Sequence, residues 1–378
     1  MNGAPWGGSE ELWSQAACRL RKEGHDVLVS VLHWSRGSER IAELAKLGAQ
    51  IEAYSPQKPD RTRRIRDRLL YGGPQIYSRL ARFKPDLVVI SQGGNGDGID
   101  WAKVVQRMST PYVLIVQCNS DHWWFGDQLG DALDAYTHSQ RVFCVSHHNL
   151  DLLRFQLGDP LLNAEIVQNP FNVSTEPSPD WPAESEGWRF ACVARLGIGA
   201  KGQDLLLRAL ARPEWRNRPV ELNLYGDGPD KLALLRIAEM LQLENVNFCG
   251  HVSDVRSIWA ANHLCVLPSR FEGLPLALIE AGWCGRPAVV TDVGGNAELC
   301  VDGVTGFVAQ AAVVSSFAVT LERAWDLRME WKQMGRAARS RVEDQISKDP
   351  VALFSKRLKA CVQEETDNAL ANSLVANR

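Results

Sequence analysis

No stretch of the chain approaches the roughly 20 consecutive apolar residues needed to cross a bilayer, and no charged-then-apolar leader precedes a cleavage site. The expected location is therefore cytoplasmic, with any membrane contact peripheral, at the inner face. The nine cysteines form no CxxC pair, and their odd number argues against a disulfide framework; reduced core thiols are expected. Charge of one sign is missing too. The 42 basic and 45 acidic residues leave a formal net charge of -3, which excludes a dedicated nucleic-acid binder. No GxGxxG follows a strand-like run with an acidic residue about 20 positions on, so a nicotinamide-dependent oxidoreductase is disfavoured. His147 and His148 have no cysteine or aspartate at metal-ligand spacing, and no metal site is expected.

What is present is an alternation. At 378 residues, two domains of about 150 to 200 residues each are the natural division. Short β-branched apolar runs at 27–32, 87–91, 112–116, 141–145, 189–194, 221–225, 263–267 and 288–291 are separated by amphipathic helical segments. This order implies βαβ units, and hence parallel, doubly wound sheets in an α/β protein. Composition changes at 172–187, where three prolines, three glutamates and several serines replace the alternation. The expected division is an N-terminal Rossmann-like domain 1–171, a linker 172–187, a C-terminal Rossmann-like domain 188–345, a helix 346–364 packing back on the first domain, and a polar tail 365–378.

Gly7 and Gly8 form a glycine turn opening a helix, with no strand ahead of them. In a doubly wound fold such a turn follows the first strand, so the first N-terminal strand is expected to be missing.

Two segments carry the chemistry. The first, 269–280 (SRFEGLPLALIE), follows a strand-like run and places Pro275 where a helix tolerates its missing N–H. Glu272 then stands in the loop before the helix and Glu280 roughly 7 Å further along it, at about 1.5 Å per residue. The amides of Gly273, Leu274 and Leu276 at the helix start favour an anion, and a phosphate fits. The second segment, 194–202 (ARLGIGAKG), sets Arg195 and Lys201 on either side of a glycine-containing loop, so two cations can converge on one anion. Cations and amides suit a diphosphate, and the two carboxylates suit hydroxyl groups on either side of it. A nucleotide-sugar has that constitution.

These segments resemble the family-4 retaining glycosyltransferases (glycosyl transferases group 1) of the GT-B fold, in which two Rossmann-like doubly wound domains face an interdomain cleft. The family's two glutamates with seven residues between them match Glu272 and Glu280, and its Arg/Lys pair matches Arg195 and Lys201. Collinear similarity extends to GGSE (7–10), IVQNP (166–170), YGDGP (225–229), FCGHV (248–252) and GGNAELCVDGVTGFV (294–308), covering almost the whole chain. The resemblance implies transfer of a sugar from a nucleotide-diphosphate sugar to a hydroxyl acceptor, which stays unnamed: a glycan, lipid carrier or natural product. It implies that Arg195 and Lys201 hold the diphosphate, Glu272 the transferred sugar and Glu280 the ribose. The base would lie by Gly250 and Val252, and Gly7 and Gly8 would approach the phosphates from the other domain. No cofactor is expected, and the absence of a DxD triad suggests metal independence.

The family commonly places a histidine after a strand ending like 111–116; here that position is Gln117, and His122 lies five residues further on. Both are acceptor-side candidates. The substitution and the missing strand motivate an alternative, a catalytically silent GT-B protein that binds a nucleotide-sugar or a glycan. Trp123, Trp124 and Phe125 are expected to be packing aromatics, and the basic stretch 61–68, with Arg79, Arg82 and Lys84, a solvated helix face.

Overall fold

The computed structural model describes residues 6–32, 38–54, 76–174 and 177–376. The basic stretch 61–68 lies outside them, and of the tail 365–378 only the helical backbone to Ala376 is described. The chain divides into two compact units. The first comprises Met1–Val145, Leu150–Pro170 and Asp349–Arg378, and the second Ser146–Asn149 and Phe171–Lys348.

The second unit is built on six strands: β7 (Trp188–Val193), β8 (Val220–Tyr225), β9 (Val246–Gly250), β10 (Leu264–Leu267), β11 (Ala288–Thr291) and β12 (Gly306–Ala309). All pairs are parallel, in the order β12-β11-β10-β7-β8-β9. Successive side chains of a strand face opposite sides, and this sheet is covered on both. Phe190, Leu264 and Val266 enter a core with Leu206, Phe317 and Trp331, while Ala191, Cys265 and Leu267 enter another with Trp259, Leu278 and Trp283. Burial on both faces explains why every residue of β10 and β11 is apolar or small and buried.

In the first unit, β3 (Val88–Gln92), β4 (Tyr112–Val116), β5 (Arg141–Cys144) and β6 (Ala164–Ile166) form a parallel sheet in the order β3-β4-β5-β6, and β1 (Leu28–Leu32) pairs in parallel with β2 (Gln50–Tyr54) as a separate ribbon. Among the described residues no strand precedes the helix Gly8–Lys22, and none joins β1 to β3. That helix packs on both pieces. Leu12 and Ala16 lie against Val113, Ile115 and Phe143, and Ala17 and Cys18 against Val29, Val31 and Leu44. The terminal helix Pro350–Ala376 closes the same face, with Phe354 edge-on to Phe143 at 5.2 Å. No described helix is long and apolar enough to cross a membrane.

Candidate functional site

In the second unit the loop after β7 carries Arg195 and Lys201. It runs into a four-residue helix, Ile198–Lys201, and then through Gly202 into the helix Gln203–Leu210. Gly202 has φ +62, and a Cβ there would lie 2.0 Å from the Pro268 carbonyl oxygen, so only glycine fits. Gly226 and Gly228 brace the other side of this loop. A Cβ on either would meet a carbonyl of Ala194 or Leu196 at 2.2 Å, and the Leu196 N–H donates to the Asp227 carbonyl at 3.1 Å.

The loop after β10 carries Glu272. Its side chain is only 7% exposed, and Glu272 Oε1 accepts hydrogen bonds from Lys201 Nζ at 2.6 Å and from Ser269 Oγ at 2.8 Å. Arg270 cross-links the two loops. Its guanidinium donates to both oxygens of Asp204 at 2.8 Å and to the Ile198 carbonyl at 2.7 Å, and its N–H donates to the Ala200 carbonyl at 2.7 Å. The planar bidentate pair holds the lysine loop beside the glutamate loop.

Behind Glu272 the backbone is gripped by its carbonyls. A Cβ on Gly294 would lie 2.4 Å from the Glu272 carbonyl oxygen, and the Gly295 N–H donates to the Gly273 carbonyl at 2.6 Å. The N–H groups of Gly273 and Leu274 have no acceptor among the described residues. They precede the helix Leu276–Trp283, whose first N–H groups have no partner within the helix, so the sequence-derived trio of Gly273, Leu274 and Leu276 stands at one helix start. Four buried residues further on, Glu280 is 3% exposed and accepts from the Asn172 N–H at 3.1 Å. Burial pushes its carboxyl up to about 7, against the pull of hydrogen bonds from the Asn172 backbone and side chain. Gly250 caps β9 at φ +71, its carbonyl accepting the Gly226 N–H at 2.7 Å, and Val252 packs beside the core behind helix Leu276–Trp283.

The remaining sequence candidates lie in the first unit. Gly7 precedes the helix Gly8–Lys22 in extended backbone, and its own N–H is already taken. The buried Glu10 carboxylate receives the Ser9 hydroxyl at 2.7 Å together with the backbone N–H of Gly7, and desolvation raises its pKa. Gln117 is 5% exposed, and its Oε1 accepts from Asn169 Nδ2 at 2.7 Å. One amide hydrogen bond between two amides leaves Gln117 Nε2 and Asn169 Oδ1 buried without partners. His122 is exposed. Of the aromatic trio, Phe125 belongs to the core against Tyr136, while Trp124 is 59% exposed with its ring edge-on to Phe155 at 5.9 Å.

Lys201 and Glu272 are thus in direct contact, with Arg195 on the same loop as Lys201 and Glu280 deeper along the next helix. Sequence reasoning passed over Arg270, Asp204, Ser269, Asn169 and Glu10. Glu10 sits inside the GGSE segment and had a signal, an acidic residue in the first turn of a helix; the Arg270–Asp204 pair, 66 positions apart, had none.

The chain is similar to known proteins along most of its length. The family model described as "Glycosyltransferase Family 4" matches residues 6–175, and that described as "Glycosyl transferases group 1" matches residues 188–326. The Vi polysaccharide biosynthesis protein VipC/TviE of Salmonella typhi is 31% identical over 180 residues, covering 45% of this chain and 30% of that protein. The N-acetyl-alpha-D-glucosaminyl L-malate synthase of Bacillus anthracis is 33% identical over 135 residues, 35% of each chain. The chain thus spans about a third of the length of these two relatives. Among solved structures, Anabaena Alr3699/HepE in complex with UDP aligns with a TM-score of 0.73 at 18% identity, covering 96% of this chain and 98% of that one. The lipopolysaccharide outer core galactosyltransferase WaaB aligns with a TM-score of 0.67 at 18% identity over 94% and 96%. With one glycosyltransferase model over residues 6–175, another over residues 188–326, and parallel α/β sheets in both units, the chain belongs to the group 1, family-4 glycosyltransferases.

Proposed function

We propose that the chain is a retaining glycosyltransferase that moves a sugar from a nucleotide-diphosphate sugar to a hydroxyl acceptor without a metal ion. The observation that carries this reading is the contact of Lys201 with the buried Glu272 at 2.6 Å beside the free amides of Gly273 and Leu274. A cation, a carboxylate and helix-start donors in one place can meet a phosphate and a sugar together. In this reading Arg195 and Lys201 hold the diphosphate, Glu272 accepts from sugar hydroxyls and Glu280 from the ribose, and Gly250 and Val252 border the base.

The bond between the anomeric carbon and the phosphate oxygen breaks as the acceptor hydroxyl closes on that carbon from the same face. The acceptor proton passes to the leaving phosphate oxygen, so no side chain acts as a covalent nucleophile. Negative charge grows on the diphosphate as it leaves, and the fixed positive charges of Arg195 and Lys201 stabilise it most at that point. Gln117 and His122 belong to the acceptor side, and the acceptor is a hydroxyl of a glycan, lipid carrier or natural product.

Solved neighbours are described in complex with UDP and UDP-glucose, which makes UDP-glucose the first probe. Slow release of UDP from UDP-glucose, unaffected by EDTA and yielding glucose of unchanged anomeric configuration, is the expected result. Lys201→Ala and Glu272→Ala should each slow it about 100-fold or more, the usual scale for removing one charge-stabilising group. Binding of a nucleotide-sugar with no release of diphosphate from any donor of a panel would identify a silent binder instead.

A further inference from the structure

Asn149 is wholly buried in the second unit, in the first turn of the helix His147–Leu157. Its Nδ2 donates to the Glu272 carbonyl oxygen at 3.1 Å. The turn that carries it is itself held. Ser146 Oγ accepts the Asn149 N–H at 3.2 Å, the His148 N–H donates to Glu298 Oε1 at 2.9 Å, and the Glu298 carbonyl accepts from Arg341 at 2.7 Å. A donor in so fixed a position fixes what it binds.

What it binds is one side of a planar unit. The carbonyl of Glu272 and the N–H of Gly273 belong to the same peptide group, and in a trans peptide they point in opposite directions. Holding the carbonyl from behind therefore aims the Gly273 N–H forward. That N–H has no acceptor among the described residues, and the Glu272 carboxylate that meets Lys201 departs from the same residue. Gly294 adds shape but no donor, since its contribution is the space a Cβ would take from the Glu272 carbonyl. Asn149 is the side chain that supplies the directional hydrogen bond.

We propose that Asn149 is a positioning residue for the anion site: through the Glu272 carbonyl it orients the Gly273 N–H toward the terminal phosphate of a bound nucleoside diphosphate. This rests on the reading of the loop as a diphosphate site. The amide is aimed before the ligand arrives, so its loss weakens recognition of the terminal phosphate without touching the nucleoside end.

The test compares two ligands on one variant. UDP and UMP differ by the terminal phosphate, so the ratio of their dissociation constants isolates it and is independent of the fraction of protein that is active. In Asn149→Leu, which keeps the branched shape but has no donor, the preference for UDP over UMP should fall by about tenfold, the scale of a hydrogen bond to a charged group. UMP affinity should stay within about twofold by the same reasoning, because no nucleoside contact is lost. Should the leucine variant melt below the assay temperature, Asn149→Ala takes its place in the same comparison. An unchanged ratio, or equal losses for UDP and UMP, would mean that Asn149 is only a packing residue and overturn the proposal. Lys201→Ala measured in parallel separates the two levels. If it leaves the UDP preference intact the diphosphate reading itself fails, whereas a reduced preference in Lys201→Ala with a normal one in Asn149→Leu sinks the Asn149 assignment alone.

Discussion

Glu280 sits almost sealed from solvent, and Asn172 meets it with both its backbone N–H and its side chain. Its carboxyl titrates near the ordinary 4.5 in the unfolded chain and at about 7 in the folded protein. Below pH 4.5 both states are protonated and nothing is lost. As the pH rises from there through 7 the unfolded chain releases its proton first, so stability declines, and above 7 the loss is complete. Glu280→Gln, which cannot ionise, should therefore be more stable than the parent at pH 8, by on the order of 3 kcal/mol, and close to it near pH 4.5. Chemical denaturation at the two pH values measures this, and a gap that does not change with pH would exclude the titration. A buried acid that weakens the fold at neutral pH is consistent with retention for binding. Lys201 and Glu272 are unequal in a comparable way. The glutamate side chain is 7% exposed and the lysine 27%, so Lys201→Ala strands a buried carboxylate whereas Glu272→Ala leaves a lysine that water can reach. Lys201→Ala should accordingly cost about 1 to 3 kcal/mol more stability than Glu272→Ala, read from urea midpoints.

Among the elements, the lysine loop depends most on one backbone position. Gly202 combines φ +62 with a 2.0 Å approach of any Cβ to the Pro268 carbonyl, and it joins the short helix ending at Lys201 to the helix beginning at Gln203. Gly202→Ala should destabilise the protein by about 3 kcal/mol and displace Lys201, lowering UDP-glucose hydrolysis along with the melting temperature. A variant within about 0.5 kcal/mol of the parent, the size of a neutral surface change, would mean that the loop takes another path. The strands show why some elements are legible in sequence and others are not. The eight apolar runs recognised from the sequence correspond to β1, β3, β4, β5, β7, β8, β10 and β11. The four strands that no run announced are β2, β6, β9 and β12, and each lies at the edge of its sheet or ribbon. An edge strand has fewer buried positions, as in the partly exposed pattern of β9 and the half-buried β6, so its sequence carries little continuous apolar signal.

For the molecule as a whole, two units with separate cores should respond separately to a ligand held by one of them. UDP at 100 times its dissociation constant should stabilise the second unit by about 2.7 kcal/mol. Amide exchange should slow in β7, β10 and the helix Leu276–Trp283 and stay unchanged in β3 to β5, and protection confined to the first unit would contradict the site assignment. The family and the α/β class were legible in the sequence, and so were the two strand-to-helix loops that carry Lys201 and Glu272, because spacing along such a turn dictates which side chains share it. Pairings between distant segments were not: Arg270 with Asp204, Asn149 with the Glu272 carbonyl and Gln117 with Asn169 each join parts of the chain that only folding brings within hydrogen-bond reach. The pairing of β1 with β2 apart from β3 to β6 among the described residues, and the burial that lifts the Glu280 carboxyl, are likewise properties of packing. Local periodicity and motif spacing determined which chemistry the chain carries, and tertiary structure decided how it is held, because desolvation and hydrogen-bond geometry depend on neighbours that no local pattern specifies.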